Sequence, residues 1–288
     1  MELQWPLILF TTFVAWSGGL FATQGIMAVK GEGNKAQMKA LIVALVLLAI
    51  GGIAVFFHLQ HWERIFNGFG HITSGITQEL IAIVVMVVVM VIMFAFIRRA
   101  GEDGKLPTWV GVLAAVVGIV LVLVCAHSYN MDSRPAWNSI LQILSVFGSA
   151  CVLGPATFAV LCKADEAGAF TGLANFAGSI AGLVLTVVYL ISMNFASYTS
   201  FDSTYFDPTQ PTKALVDTSA LSVFSGDTMV FSIIVIIAGI AAVVAAYMGK
   251  SKGNWKIWGS VIIVCGVAAA ICLRIVFYLM GVSVYPYM

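Results

Sequence analysis

Eight separate stretches of this chain stay apolar for about 20 residues, the length a helix needs to cross roughly 30 Å of hydrocarbon. They lie near 6–28, 39–57, 76–97, 108–127, 138–162, 170–193, 228–248 and 256–283. Runs such as Ile81 to Phe96 are apolar on every side and read as lipid-embedded helix. Outer-membrane strands would alternate over about ten residues instead. Of 288 residues, 61% are hydrophobic and 9% charged, against roughly 25% charged in soluble domains. That excludes a soluble enzyme and a disordered chain, and a net charge of +1 offers no footprint for nucleic acid. The expected fold is all-α: a polytopic integral membrane bundle of eight transmembrane helices, one domain over 1–288, with lipid as its surroundings. Only Met1-Glu2-Leu3-Gln4 precedes the first span, without a basic leader, so that span reads as a retained helix and not a cleaved signal.

Orientation follows from the basic residues, which stay on the cytoplasmic side. Connections of odd number carry Lys30, Lys35, Lys39, Arg98, Arg99, Lys105, Lys163, Lys250, Lys252 and Lys256, ten of the 14 Lys and Arg. The other side holds Arg64, Arg134, Lys213 and Arg274. Both termini are therefore expected on the exterior, periplasmic face. All four histidines (His58, His61, His71, His127) fall on that side, as do Glu63, Glu79, Asp132, Asp202, Asp207, Asp217 and Asp227. The long connections, near 58–75 and 194–227, are there too, and long connections carry function more often than short turns.

Three polar clusters mark the exterior ends of the spans. The first runs from His58 through His61, Trp62, Glu63 and Arg64 to Asn67, with Glu79 at the start of the third span. Ionisable groups at membrane depth are costly and face a cavity or a partner. His58 and Glu79 end consecutive helices, so they can line one pocket and pass protons. The second cluster is His127, Tyr129, Asn130, Asp132, Arg134, Pro135 and Trp137; the third is Arg274 with Tyr278. Arg274, flanked by Ile271, Cys272, Leu273, Ile275 and Val276, must point into the bundle or snorkel outward. Trp62, Trp109 and Trp137 read as aromatic-belt anchors, and His61 and His71 as solvated or partner-facing.

The remaining signals favour plain packing. Cys125, Cys151, Cys162, Cys265 and Cys272 form no C-x-x-C pair, so they read as small packing residues and not as cluster or zinc ligands. Gly168/Gly172 and Gly178/Gly182 are small-xxx-small pairs that let helices approach. Gly154-Pro155 removes a backbone donor inside the fifth span. A quinol cytochrome with haem b is an alternative, but haem is not expected because the histidines sit at span ends. A secondary transporter is another, though no internal repeat is evident.

Several motifs then fall in one colinear order. Trp5-Pro6-Leu7-Ile8-Leu9-Phe10-Thr11 opens the sequence. His58-Leu59, Arg64 and Phe66-Asn67 follow, then Glu79-Leu80, Tyr129-Asn130 with Pro135 and Trp137, Gly154-Pro155, and Arg274 with Phe277-Tyr278. In this order the protein resembles the membrane anchor subunit of the dimethyl sulfoxide reductase family, integral eight-helix subunits of molybdopterin oxidoreductase complexes. Two departures stand out: Gln60-His61-Trp62-Glu63 where the family often has G-S-P-x, and His127 where it carries an arginine.

The resemblance implies a menaquinol-oxidising subunit in a bacterial inner (cytoplasmic) membrane, serving anaerobic respiration. Electrons would pass to an iron–sulfur subunit and on to a molybdopterin catalytic subunit, both docked on the exterior face. The iron–sulfur clusters and molybdopterin would belong to those partners, leaving this protein no terminal catalytic centre of its own. His58 matches the family's histidine implicated in quinol binding, with Arg64, Asn67 and Glu79 beside it. With Tyr129, Trp137, Arg274 and Tyr278 from the other clusters, these form the expected quinol-binding set. In this reading His58 accepts a proton, Glu79 relays one outward, and Arg274 or Arg64 steadies the charge that develops on the ring. The terminal substrate stays open among sulfoxides, amine oxides, oxyanions and organic compounds.

Overall fold

A computed structural model describes residues 3–59, 70–101, 104–163, 166–196 and 221–282. Among these, eight helices are long and apolar enough to cross a membrane. They are α1 (Trp5–Lys30), α2 (Gln37–Phe56), α3 (Gly75–Ala100), α4 (Thr108–His127), α5 (Ile140–Leu161), α6 (Ala169–Asn194), α7 (Gly226–Lys252) and α8 (Trp255–Met280). The described part is all-α, an eight-helix transmembrane bundle, and each expected span has its helix. Ends are set by familiar devices. Pro6 begins α1, where a missing N–H costs nothing, and Gly31 closes it in the left-handed region at φ 73°.

Outward faces carry large apolar side chains, among them Ile53, Val88, Val91, Ile237 and Val264, each more than half exposed. In water such a surface would aggregate; in lipid it is the stable arrangement. The helices must then be held together by close packing and internal hydrogen bonds. α1 and α5 are the most buried helices and form the axis of the bundle. α1 packs on α2, α4 and α5, and α5 packs on α6 and α8. A methyl group added at Gly18 would sit 2.9 Å from the Gly118 carbonyl oxygen, so α1 and α4 meet backbone to backbone. Gly178 and Gly182 do the same for α6 against Cys151 and Gly148 of α5, as the small-residue spacing predicts.

Pro155 lies inside α5, which runs on to Leu161. The carbonyl of Cys151, left without its helical donor, faces Gly178. Hydrogen bonds join the axis to its neighbours: Trp16 Nε1 donates to Thr157 Oγ1 at 2.7 Å, and Ser17 Oγ donates to the Ala44 carbonyl at 2.6 Å. At the end rich in lysine and arginine, Gln24 Nε2 donates to the Gln37 carbonyl at 2.7 Å. Glu32, just past α1, accepts from the Phe170 N–H at 3.0 Å, the Thr171 N–H at 2.8 Å and the Thr171 hydroxyl at 2.7 Å. It thus caps the start of α6 from a distant part of the sequence, where the orphan N–H groups and the helix dipole favour an anion.

The two halves of the bundle pack alike but not equally. In each, the first helix touches the second and the fourth. α6 and α7 lie closely together, whereas their counterparts α2 and α3 touch little. That gap faces the end opposite the lysines, where the polar clusters lie.

Candidate functional site between α2, α3 and α4

A cavity of about 510 Å³ opens at this gap. It lies in the range of about 300–1,000 Å³ usual for small-molecule sites. Leu7 and Phe10 of α1 form its back, and Val55 and Phe56 of α2 face Ile76, Leu80 and Ile83 of α3. His58, Glu79, Ser128 and Tyr129 bring polar atoms to one end. The wall is otherwise mostly apolar.

Each polar group arrives by a local cause. α2 ends at Phe56, and backbone bonds from His58 N–H to the Val55 carbonyl (3.0 Å) and Leu59 N–H to the same carbonyl (3.3 Å) make one further turn. His58 is left exposed at the cavity mouth. Glu79 sits in the second turn of α3, only 8% exposed. Ser128 and Tyr129 follow α4 directly, held by backbone bonds to Val124 (3.1 Å) and Ala126 (3.3 Å).

Ser128 Oγ and Glu79 Oε1 form a hydrogen bond, and Ser128 Oγ also lies 2.9 Å from the Cys125 carbonyl oxygen. The hydroxyl has one proton and two acceptors in reach. Ionised Glu79 accepts that proton. Protonated Glu79 donates to Ser128, whose own proton then turns to Cys125. Either protonation state of the carboxyl is thus hydrogen-bonded here with the heavy atoms in place.

Behind Tyr129 lies a second, fully packed cluster. Arg274 is 6% exposed, so it points into the bundle, with its guanidinium 5.8 Å from the Tyr129 ring centre and 5.1 Å from that of Phe277. Among the described residues its Nη2 has no hydrogen-bond partner, and neither has the Tyr278 hydroxyl. Trp137 is 4% exposed, stacked on Phe277 with centroids 4.2 Å apart, and its Nε1 donates to the Phe277 carbonyl at 2.7 Å. The aromatic-belt reading of Trp137 is therefore corrected: the indole is buried because α8 offers both a ring face and a carbonyl. Trp109 is exposed, as a belt residue is, and meets Phe96 edge-on at 5.2 Å. Arg134 lies 4.3 Å from the Trp137 ring centre and donates to the Gly281 carbonyl, tying the α4–α5 connection to the end of α8.

The expected site residues thus fall into three groups. His58, Glu79 and Tyr129 share one cavity. Trp137, Arg274 and Tyr278 stand in the cluster behind Tyr129 and are not among the cavity's described lining. Arg64 and Asn67 lie outside the described residues, as do His61, Trp62 and Glu63. Ser128 and Gly52 carry no signal in the sequence that marks them for the site. A serine after an apolar run is common, and only its juxtaposition with Glu79 gives it meaning.

Comparison with known proteins identifies the family. The family model described as DMSO reductase anchor subunit (DmsC) matches residues 1–281. The YnfH subunit of anaerobic dimethyl sulfoxide reductase in Escherichia coli (strain K12) is 26% identical over 171 residues, 56% of this protein and 58% of that relative. The C subunit of anaerobic dimethyl sulfoxide reductase from the same strain is 26% identical over 160 residues, 53% of this protein and 55% of the relative. Its counterpart from Haemophilus influenzae is 28% identical over 159 residues, 53% and 56% respectively. The protein thus spans somewhat more than half the length of the curated relatives it matches. With the family model covering nearly all of an eight-span bundle, the protein belongs to the DMSO reductase anchor subunit family.

Proposed function

We propose that this protein is the membrane anchor and menaquinol-oxidising subunit of an anaerobic respiratory molybdenum oxidoreductase complex in a bacterial cytoplasmic membrane. The basic residues at the opposite end favour an exterior position for the cavity and both termini. An iron–sulfur subunit docked there receives the electrons and passes them to a molybdopterin catalytic subunit.

The observation that carries this reading is the cavity shared by His58, Glu79, Ser128 and Tyr129. A quinol needs an apolar slot for its ring and groups at one end that take protons as electrons leave. Oxidation releases two electrons and two protons. His58, at the mouth, hydrogen-bonds a ring oxygen and takes one proton to exterior water. Glu79 takes the other through its bond network with Ser128. Tyr129 closes the inner wall, and Arg274 behind it holds fixed positive charge near the ring where negative charge develops. Electrons and protons leave on the same face, so turnover moves no net charge across the membrane.

The test is His58→Ala in the assembled complex. Quinol oxidation is expected to fall about 100-fold, the scale of losing a positioned proton acceptor, while the complex still assembles and accepts electrons from an artificial donor. Oxidation at the full rate overturns the reading.

A further inference from the structure

Gly52 faces open space: a methyl group placed on it would meet no atom within 4 Å, although the residue lies in a membrane helix and lines the cavity. Its neighbour Gly51 is packed, and a methyl group there would lie 3.0 Å from Val14 Cγ2. In a close-packed bundle an unfilled glycine is a gap that one side chain would close. Gly52 lies four residues, about 6 Å, inside the last residue of α2. His58, Glu79 and Ser128 bring polar groups to the cavity, and its lining also includes Leu80 and Ile83, one and four residues further along α3 than Glu79. At its edge Phe56 is 46% exposed and Ile76 56% exposed, so the lining continues onto the outer surface of the bundle. The helices on either side are the pair that packs loosely.

We infer that the gap between α2 and α3 is a lateral portal through which the polyprenyl tail of the quinol passes into lipid, and that Gly52 sets its width. The inference rests on the proposed quinol site. A tail attached to a ring whose oxygens face His58 and Glu79 must leave the cavity away from water. The apolar, loosely packed side is the route the described walls leave. Polyprenyl carbons crossing there meet only apolar side chains and the bare backbone at Gly52, so no polar group is desolvated without a partner.

The test compares two quinols on the assembled complex in its membrane: a menaquinol with a polyprenyl tail and a dimethylnaphthoquinol without one. Gly52→Phe is expected to lower kcat/KM at least about tenfold more for the tailed quinol than for the tail-less one. If Gly52→Phe prevents assembly, Ile76→Trp, at the exposed mouth, gives the same selective loss. Equal losses for both quinols, or none for either, overturn the portal. Failure of the quinol site itself is separately visible, because His58→Ala would then leave both quinols at wild-type rates.

Discussion

The Ser128 hydroxyl is shared between Glu79 of α3 and the carbonyl of Cys125 in α4. In the proposed relay Glu79 holds the proton and Ser128 is a positioning residue that acts through it. Replacing Glu79 by Gln, which cannot carry the proton, is expected to slow quinol oxidation about 100-fold and flatten its pH profile. Ser128→Ala should slow it less, about tenfold, and move the pH profile, while Ser128→Thr restores the wild-type profile. A Ser128→Ala complex with unchanged rate and profile would remove Ser128 from the relay.

Arg274 is a buried cation whose packing partners are aromatic rings, Tyr129 and Phe277. Among the described residues it has no carboxylate partner, and an apolar side chain of similar volume often serves as well as a buried charge or better. Arg274→Met is therefore expected to leave the thermal unfolding midpoint of the complex unchanged or raised, and to lower quinol oxidation about tenfold. A large drop in the midpoint with unchanged turnover per assembled complex would make Arg274 structural.

Trp137 joins the α4–α5 connection to α8 by a ring stack and one hydrogen bond. Trp137→Phe should keep much of the stack and lose the bond, at a cost of about 1 kcal/mol. Trp137→Ala removes both and leaves a cavity, at about 3–5 kcal/mol. Unfolding midpoints of the purified complex in detergent rank the two; equal midpoints would show that the indole carries little of the join.

Glu32 gives a pH dependence with a definite sign. Burial raises its pKa, but bonds from the Thr171 hydroxyl and from the N–H groups of Thr171, Phe170 and Gly168 outweigh burial, and the net shift is below the ordinary 4.5. A pKa lower in the folded state means that folding favours the ionised carboxylate. Its contribution is complete above the ordinary value and is lost as pH falls through the lower folded one. Glu32→Gln should destabilise by about 1 kcal/mol at neutral pH, the scale of a lost helix cap, and the difference from wild type should vanish in acid. A difference that grows on acidification would contradict the capping role.

Much of this molecule is legible without coordinates. Eight apolar runs of bilayer length each become a helix, because hydrocarbon leaves the backbone no alternative to internal hydrogen bonds. That His58 and Glu79 line one cavity is legible because consecutive spans bring their ends to one side. Trp137 is not legible as a buried stack. Sequence position near an interface describes belt anchors and buried aromatics equally, and only the placement of Phe277 decides between them. Ser128 and Glu32 escape for the same reason: each matters through a residue 49 or 138 positions away, and no local pattern records such a pairing.

The order of residues alone determines that the protein is a membrane bundle, which ends are basic, and which polar groups crowd the other end, since all three depend on transfer of side chains between water and lipid. Tertiary structure decides that α2 and α3 stand apart while α6 and α7 close, that Gly52 opens on empty space while Gly51 is packed, and that Arg274 stands behind Tyr129 and not in the cavity wall. Those outcomes depend on shape complementarity between helices distant in the sequence, where dispersion and steric fit act only after the backbone has been brought together.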